Sequence, residues 1–241
     1  SVAHVSGNLQ ATLAAYERTL KAQPGHIEAR VARAGLLLDL GRATDSQADV
    51  TELQRIAPGE PRAAYLQALL AERSGKTAEA QAALKEVTHL IDPVPIEFIR
   101  YRTQLLMLNG LAHFGLNEIE KAKQYLETFQ KQQGNTPVSK LLAQIYIRES
   151  NVDRSIEVLE NYLKANPSDG QAMIQLGSAF LSKGQNAKAA ALMQQALKSK
   201  DNPAYRTVLG LSLIRSGQSG TGVAELETAY KQDTTQTQAG V

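Results

Sequence analysis

Apolar and polar positions alternate in blocks along this chain. Runs of about a dozen residues with apolar side chains at helical spacing are separated by short polar breaks. Leu38-Asp39-Leu40-Gly41-Arg42 is typical, because an apolar run ends at a glycine and a polar run follows. The same break recurs at Gly7, Gly41, Gly75, Asn117, Ser150, Gly184 and Gly217, with spacings of 34, 34, 42, 33, 34 and 33 residues. Gly and Asn adopt the left-handed conformation that ends a helix. Ser150 is a weaker member of the series, and neighbouring Asn151 offers itself instead.

Residue size follows the same period. Seven residues before each break stands a small residue: Ala34, Ala68, Gly110, Ala143, Gly177, Gly210. Five after it stands another: Thr12, Ser46, Ala80, Ala122, Ser155, Ala189, Gly222. Four further on comes a larger one, such as Tyr16, Val50, Leu84 or Met193. The physical reading is a helix hairpin repeated along the chain. Small residues mark where its two helices cross closely, and the large one fills the space between hairpins. Pro24, Pro58 and Pro167 close their units, since proline cannot continue a helix.

This pattern predicts six full units, 27–60, 61–92, 103–135, 136–169, 170–202 and 203–236, after a leading half repeat at 1–26. Residues 93–102 are an insertion, which predicts that the following helix is lengthened by about two turns. Pro95 would start it, and Phe98, Ile99 and Tyr101 would sit on the protruding part, as packing residues or as a docking edge. The chain starts inside a repeat. Val223, Leu226 and Tyr230 on its last helix have no following helix to cover them. The expectation is a fragment of a longer chain, or one that forms a homo-oligomer through uncapped ends.

The pattern resembles the tetratricopeptide repeat (TPR). Leu176-Gly177-Ser178-Ala179-Phe180 followed by Gly184, Ala189 and Met193 is the best match to that 34-residue helix–turn–helix signature, with Leu209-Gly210 and Pro167 in support. The signature tryptophan is replaced by Met173 in the clearest unit and by Ser139 in the one before it. The resemblance implies an all-α fold, a right-handed TPR α-solenoid of antiparallel helix pairs, whose first helices line a concave face. On that face it places Arg62, Tyr65, Leu69 and Arg73, then Met107, Leu111 and Phe114, then Lys140, Gln144 and Arg148, then Ile174 and Gln175. An apolar floor with basic and amide groups suits an extended peptide or an amphipathic helix. Some TPR proteins clamp a C-terminal carboxylate with Lys, Asn and Arg from successive helices. The nearest match here, Lys140, Gln144 and Gln175, lacks the basic residues of the next helix, where Ala204 and Val208 stand. Leu163-Lys164-Ala165-Asn166-Pro167, with Gln- and Ala-rich helices, also resembles bacterial TPR lipoproteins of exopolysaccharide and PEP-CTERM/exosortase loci, the PrsT type. That resemblance implies a periplasmic or outer-membrane-associated setting; otherwise the cytoplasm is expected.

Composition narrows the chemistry. The 241 residues hold no Cys and no Trp, and carry 26 Lys+Arg against 24 Asp+Glu. The absence of Cys removes thiol nucleophiles, thiolate metal sites and disulfides. The charge balance argues against a nucleic-acid partner. No apolar run approaches the length of a membrane span, so no membrane contact is expected of this segment. His4, His26, His89 and His113 lack partners at metal-ligand spacing, so no metal or cofactor is expected. Gly75-Lys76-Thr77 ends like a phosphate loop, but Leu70 stands where its first glycine belongs. No catalytic set stands out. The reading is a non-enzymatic scaffold for a protein or peptide partner. The alternative is the accessory region of an enzyme, such as a glycosyltransferase, with catalysis elsewhere in a longer chain.

Overall fold

The computed structural model describes the backbone of residues 2–239 and the side chains of residues 8–234. The described residues are helical throughout, joined by short turns, and fall into two compact units, 1–132 and 133–241. The first holds α1 (Val2–Ala22), α2 (Ile27–Asp39), α3 (Ala43–Ile56), α4 (Pro61–Arg73), α5 (Thr77–Ile91), α6 (Ile96–Ile99), α7 (Thr103–Gly115) and α8 (Ile119–Gln133). The second holds α9 (Val138–Arg148), α10 (Val152–Ala165), α11 (Gly170–Ser182), α12 (Asn186–Ser199), α13 (Pro203–Arg215) and α14 (Ser219–Ala239). Within each unit most helices pack on a sequence neighbour, α5 packs on α7, and the first helices of successive hairpins touch as well: α2 with α4, α4 with α7, α9 with α11, and α11 with α13.

The helix ends follow from local chemistry. Pro61 and Pro203 open α4 and α13, where a missing N–H costs nothing. Asp169 and Asn151 accept from the backbone N–H of Ala172 and Arg154 at the starts of α11 and α10. Six hairpin turns share one bond pattern. At the first, Arg42 N donates to Leu37 O at 2.8 Å and Gly41 N to Leu38 O at 3.1 Å. At the fourth, Asn151 N donates to Tyr146 O at 2.8 Å and Ser150 N to Ile147 O at 3.0 Å. The residue between must be left-handed. Glycine provides this at four of the turns, while Asn117 and Ser150 do so at φ 60°. Ser150 is therefore the turn residue itself, and Asn151 serves as the cap of α10. Ser150→Gly removes the Cβ clash of that conformation. It is expected to stabilise the chain by about 1 kcal/mol, read as a higher urea midpoint.

Two expectations change. The break expected at Gly7 is absent, since α1 runs through that position as one helix; the side chains of residues 1–7 lie outside the described set. The insertion at 93–102 does not lengthen a helix. Pro95 is extended at ψ 141°, and Arg102, at φ −94° and ψ 70°, separates one-turn α6 from α7. α7 keeps 13 residues, the length of α4. The inserted apolar residues then divide: Ile99 is buried, while Phe98 and Tyr101 are 76% and 73% exposed.

The core of the second unit is continuous from α9 to α13. It includes Leu159, Tyr162, Leu176, Phe180, Ala189, Met193, Tyr205 and Leu209. The small residues are set by crossing distance. A Cβ on Gly210 would lie 2.7 Å from the backbone oxygen of Gly222, and one on Gly222 equally close to that of Gly210. Helices α13 and α14 therefore touch backbone to backbone.

Candidate functional site

In the second unit, α9 and α11 present neighbouring faces with an open cleft of about 410 Å³ between them. Its rim carries Gln144, Ile147 and Arg148 from α9 and Ile174, Gln175, Ser178 and Ser182 from α11. Its floor is small, with Ala143, Ala179 and, from α10, Ser155. Four of the residues placed on a binding face by sequence (Gln144, Arg148, Ile174 and Gln175) thus come together. Ile147, 42% exposed, was absent from that set. It occupies the place in the repeat held by Leu38, Phe114 and Leu181. Comparing the repeats position by position would have found it.

Lys140 belongs to a different arrangement. Its Nζ donates to Asp169 Oδ2 at 2.9 Å and lies 5.9 Å from the centre of the Tyr162 ring. Tyr162 Oη donates to the same carboxylate at 2.8 Å. Burial alone would raise the Asp169 carboxyl, but the bonds from Lys140, Ala172 N and Tyr162 outweigh it and hold it below the usual range. Lys140 is therefore engaged in fixing the start of α11. On α13, Val208 is buried. A two-carboxylate clamp built on Lys140, Gln144 and Gln175 finds no third helix to complete it.

In the first unit, Arg62, Tyr65, Leu69 and Arg73 follow one another along α4. Arg62 forms ion pairs with Glu28 at 2.6 Å and Glu60 at 2.7 Å, which raise its already high pKa. Burial, with the charge of Glu72 adding to it, pushes the Tyr65 hydroxyl above its ordinary value. Leu69 packs beside Leu38, Val50, Leu66 and Leu70. Arg73 Nη1 donates to Leu38 O across the α2–α4 contact. Met107, Leu111 and Phe114 lie half-buried along α7. A second cleft, of about 580 Å³, lies beside α6 and is bordered by Glu28, Glu60, Arg62, Val94, Tyr101 and Gln104. Its charged groups Glu28, Glu60 and Arg62 are paired with one another.

Sequence reading found no chemistry around the histidines. The structure places His113, fully buried, between two carboxylates. Its Nε2 is 2.9 Å from Asp92 Oδ1 and its Nδ1 2.7 Å from Glu118 Oε2. Asn109 Nδ2 and Lys121 Nζ also donate to Asp92, at 2.8 and 3.0 Å, and Tyr125 stacks on the imidazole at 5.6 Å. This network ties the end of α5 to α7 and α8. Among the described residues no group of three His, Cys, Asp or Glu side chains is arranged to hold a metal, and no helix is long and apolar enough to cross a membrane.

Comparison with known proteins gives the following. A family model described as tetratricopeptide repeat matches residues 5–61 and 140–205. No curated protein matches the chain significantly. Among solved structures, the chain is similar to one in the APC/C hetero-tetramer Cut9-Hcn1, with a TM-score of 0.68 and 15% identity over 93% of this chain. The match covers 43% of that chain, so the present chain spans less than half of that relative. MamA from Desulfovibrio magneticus RS-1 aligns with a TM-score of 0.57 and 20% identity, over 73% of this chain and 96% of that one. YrrB, whose structure is described as a TPR protein with an unusual peptide-binding site, aligns at 0.54 and 13%, over 79% of this chain and 95% of that one. At these identities the likeness is one of fold.

Proposed function

The chain belongs to the tetratricopeptide repeat family, and from that premise we propose that it is a protein-interaction scaffold that works by binding, with the α9–α11 cleft as its peptide site. The observation that carries this is the cleft itself. It is open, within the size range of ligand sites, and has an aliphatic floor with amide groups at its rim. Such a surface gains affinity from one buried apolar anchor and orientation from amide hydrogen bonds to a peptide backbone. Lys140 and Arg62 are held by carboxylates of the chain itself, so neither is the group offered to a partner.

The test is a fluorescent peptide library screened by anisotropy against wild type and Ile174→Ala. Ile174 stands half-buried on the cleft wall. Removing its side chain should weaken the selected peptides by about tenfold, the loss of a modest interface anchor. A wild-type protein that selects no peptide refutes the proposal. The export or exopolysaccharide setting is a narrower part of the same proposal. The full-length reading frame decides it: a lipoprotein signal upstream supports it, and a catalytic domain in the same frame points to an enzyme's accessory region.

A further inference from the structure

The α9–α11 cleft has a structural origin that also specifies its occupant. The contact between the first helices of successive hairpins is described at four places: α2 with α4, α4 with α7, α9 with α11, and α11 with α13. In the first and last, the later helix carries the same pair of residues four apart, a leucine (Leu69 half-buried, Leu211 38% exposed) and an arginine, whereas α7 has Leu111 with Gly115. Helix α4 supplies Leu69 and Arg73, and α13 supplies Leu211 and Arg215. Each arginine reaches back to the last turn of the other helix, Arg73 to Leu38 O and Arg215 to Leu181 O. The equivalent positions of α11 are Ser178 and Ser182, and the equivalent carbonyl is that of Ile147. Ser178 is too short to fill the leucine's space. Ser182 Oγ donates to Ala179 O in its own helix at 2.8 Å. The cleft is the space that this missing pair leaves.

Two further side chains support this. Gln175 stands where α4 has Leu66 and α13 has Val208, both buried. Its Oε1 is shielded from solvent and has no hydrogen-bond partner among the described residues. Ser155 stands where Ser46 donates to Ala34 O at 2.8 Å, yet Ser155 Oγ also has no partner there. Buried polar groups left in this state are costly, and a bound N–H donor relieves the cost. The last turn of α9 carries the Ile147 carbonyl, the counterpart of Leu38 O and Leu181 O, with α9's own Arg148 on the same rim.

Resting on the peptide-site reading above, we infer that the partner segment supplies the missing pair: an aliphatic side chain of leucine size that enters between Ser178 and Ile147, and an arginine or lysine one helical turn away that reaches the last turn of α9. The ligand class is therefore a basic, amphipathic segment of a protein.

The experiment selects binders to the wild-type chain from a random peptide library. It then measures them by anisotropy against Ser178→Leu/Ser182→Arg, which gives α11 the residues that α13 carries. The selected peptides should share a Leu, Ile or Met with an Arg or Lys about one turn away. The filled variant should melt no lower than wild type and bind them at least about tenfold more weakly. Ser178→Ala, which leaves the space open, should retain binding and serves in place of the filled variant's control if that variant folds poorly. Selected peptides that lack the basic residue, or that bind the filled variant as tightly, overturn this inference and leave the peptide-site reading standing. Failure to select any peptide overturns both.

Discussion

Ala189→Arg is expected to unfold the region around α11 and α12 at temperatures where the wild type is intact. Ala189 has no exposed surface and lies in the cluster formed by Leu176, Phe180, Met193 and Leu209. Its repeat position is the one at which the second helix of a pair passes closest to the first. Beside it, a Cβ on Gly177 would already meet Met193 and Val208 at 3.0 Å. An arginine there adds several heavy atoms to a packed crossing, which costs about 1–3 kcal/mol in overpacking. It also introduces an unpaired charge into an apolar cluster, which costs about as much again or more. The sum, roughly 4–6 kcal/mol, should lower the melting temperature by about 10–20 °C. An unchanged melting curve would show that the crossing is looser than its glycine and alanine require.

The second large effect is expected at Asp92. Its carboxylate receives bonds from Asn109 and His113, both fully buried, and from Lys121, whose side chain is 56% exposed. These three contribute unequally. The exposed lysine pair is screened by water and contributes little. Removing the acceptor from two buried donors leaves both unsatisfied, at about 1–3 kcal/mol each. Asp92→Ala should therefore destabilise by about 3–5 kcal/mol, and Lys121→Ala by less than about 1 kcal/mol, both measured by urea unfolding at neutral pH. The acid side follows from the same contacts. Burial raises the Asp92 carboxyl, but the bonds from Asn109, His113 and Lys121 outweigh it and hold it below the ordinary value. A carboxyl depressed in the folded state stabilises fully above its unfolded pKa, about 3.9, and loses that contribution as pH falls through the lower folded value. Stability should hold down to about pH 5 and decline below about pH 4, and Asp92→Ala should flatten that decline.

Much of the fold could be read in the sequence because a single geometric demand repeats. Every hairpin turn needs one left-handed residue, and every crossing needs two small ones, so Gly41, Gly75, Gly184, Ala189 and Gly210 mark the architecture before any coordinates are considered. The reading failed where a local feature departs from the period. Residues 93–102 contain apolar side chains at helical spacing, which says nothing about whether Arg102 stays helical; its backbone leaves the helix, and α6 and α7 separate. The His113 network was invisible for another reason. Its carboxylates come from positions 21 residues before and five after the imidazole, on other elements. Spacing along one helix could not connect them. The cleft proposed as the peptide site was partly legible. Gln144, Arg148, Ile174 and Gln175 do converge on one cleft. Lys140 reads as a groove cation from its place in the repeat, and only the proximity of Asp169 reveals that it is spent on the helix start. The serines that open the cleft were readable all along, as departures from Leu211 and Arg215.

The arginine links reach one repeat along the chain: Arg73 to Leu38 spans 35 residues and Arg215 to Leu181 spans 34. Short reach of this kind bears on kinetics. Loops that close over one repeat lose little entropy, so ordering needs no distant partner and can begin at any hairpin and spread to its neighbours. Refolding from urea should accordingly be fast for a chain of 241 residues, with parallel starting points in place of a single nucleus. A destabilised hairpin, such as the one containing residue 189, should then slow only its own portion of the refolding signal.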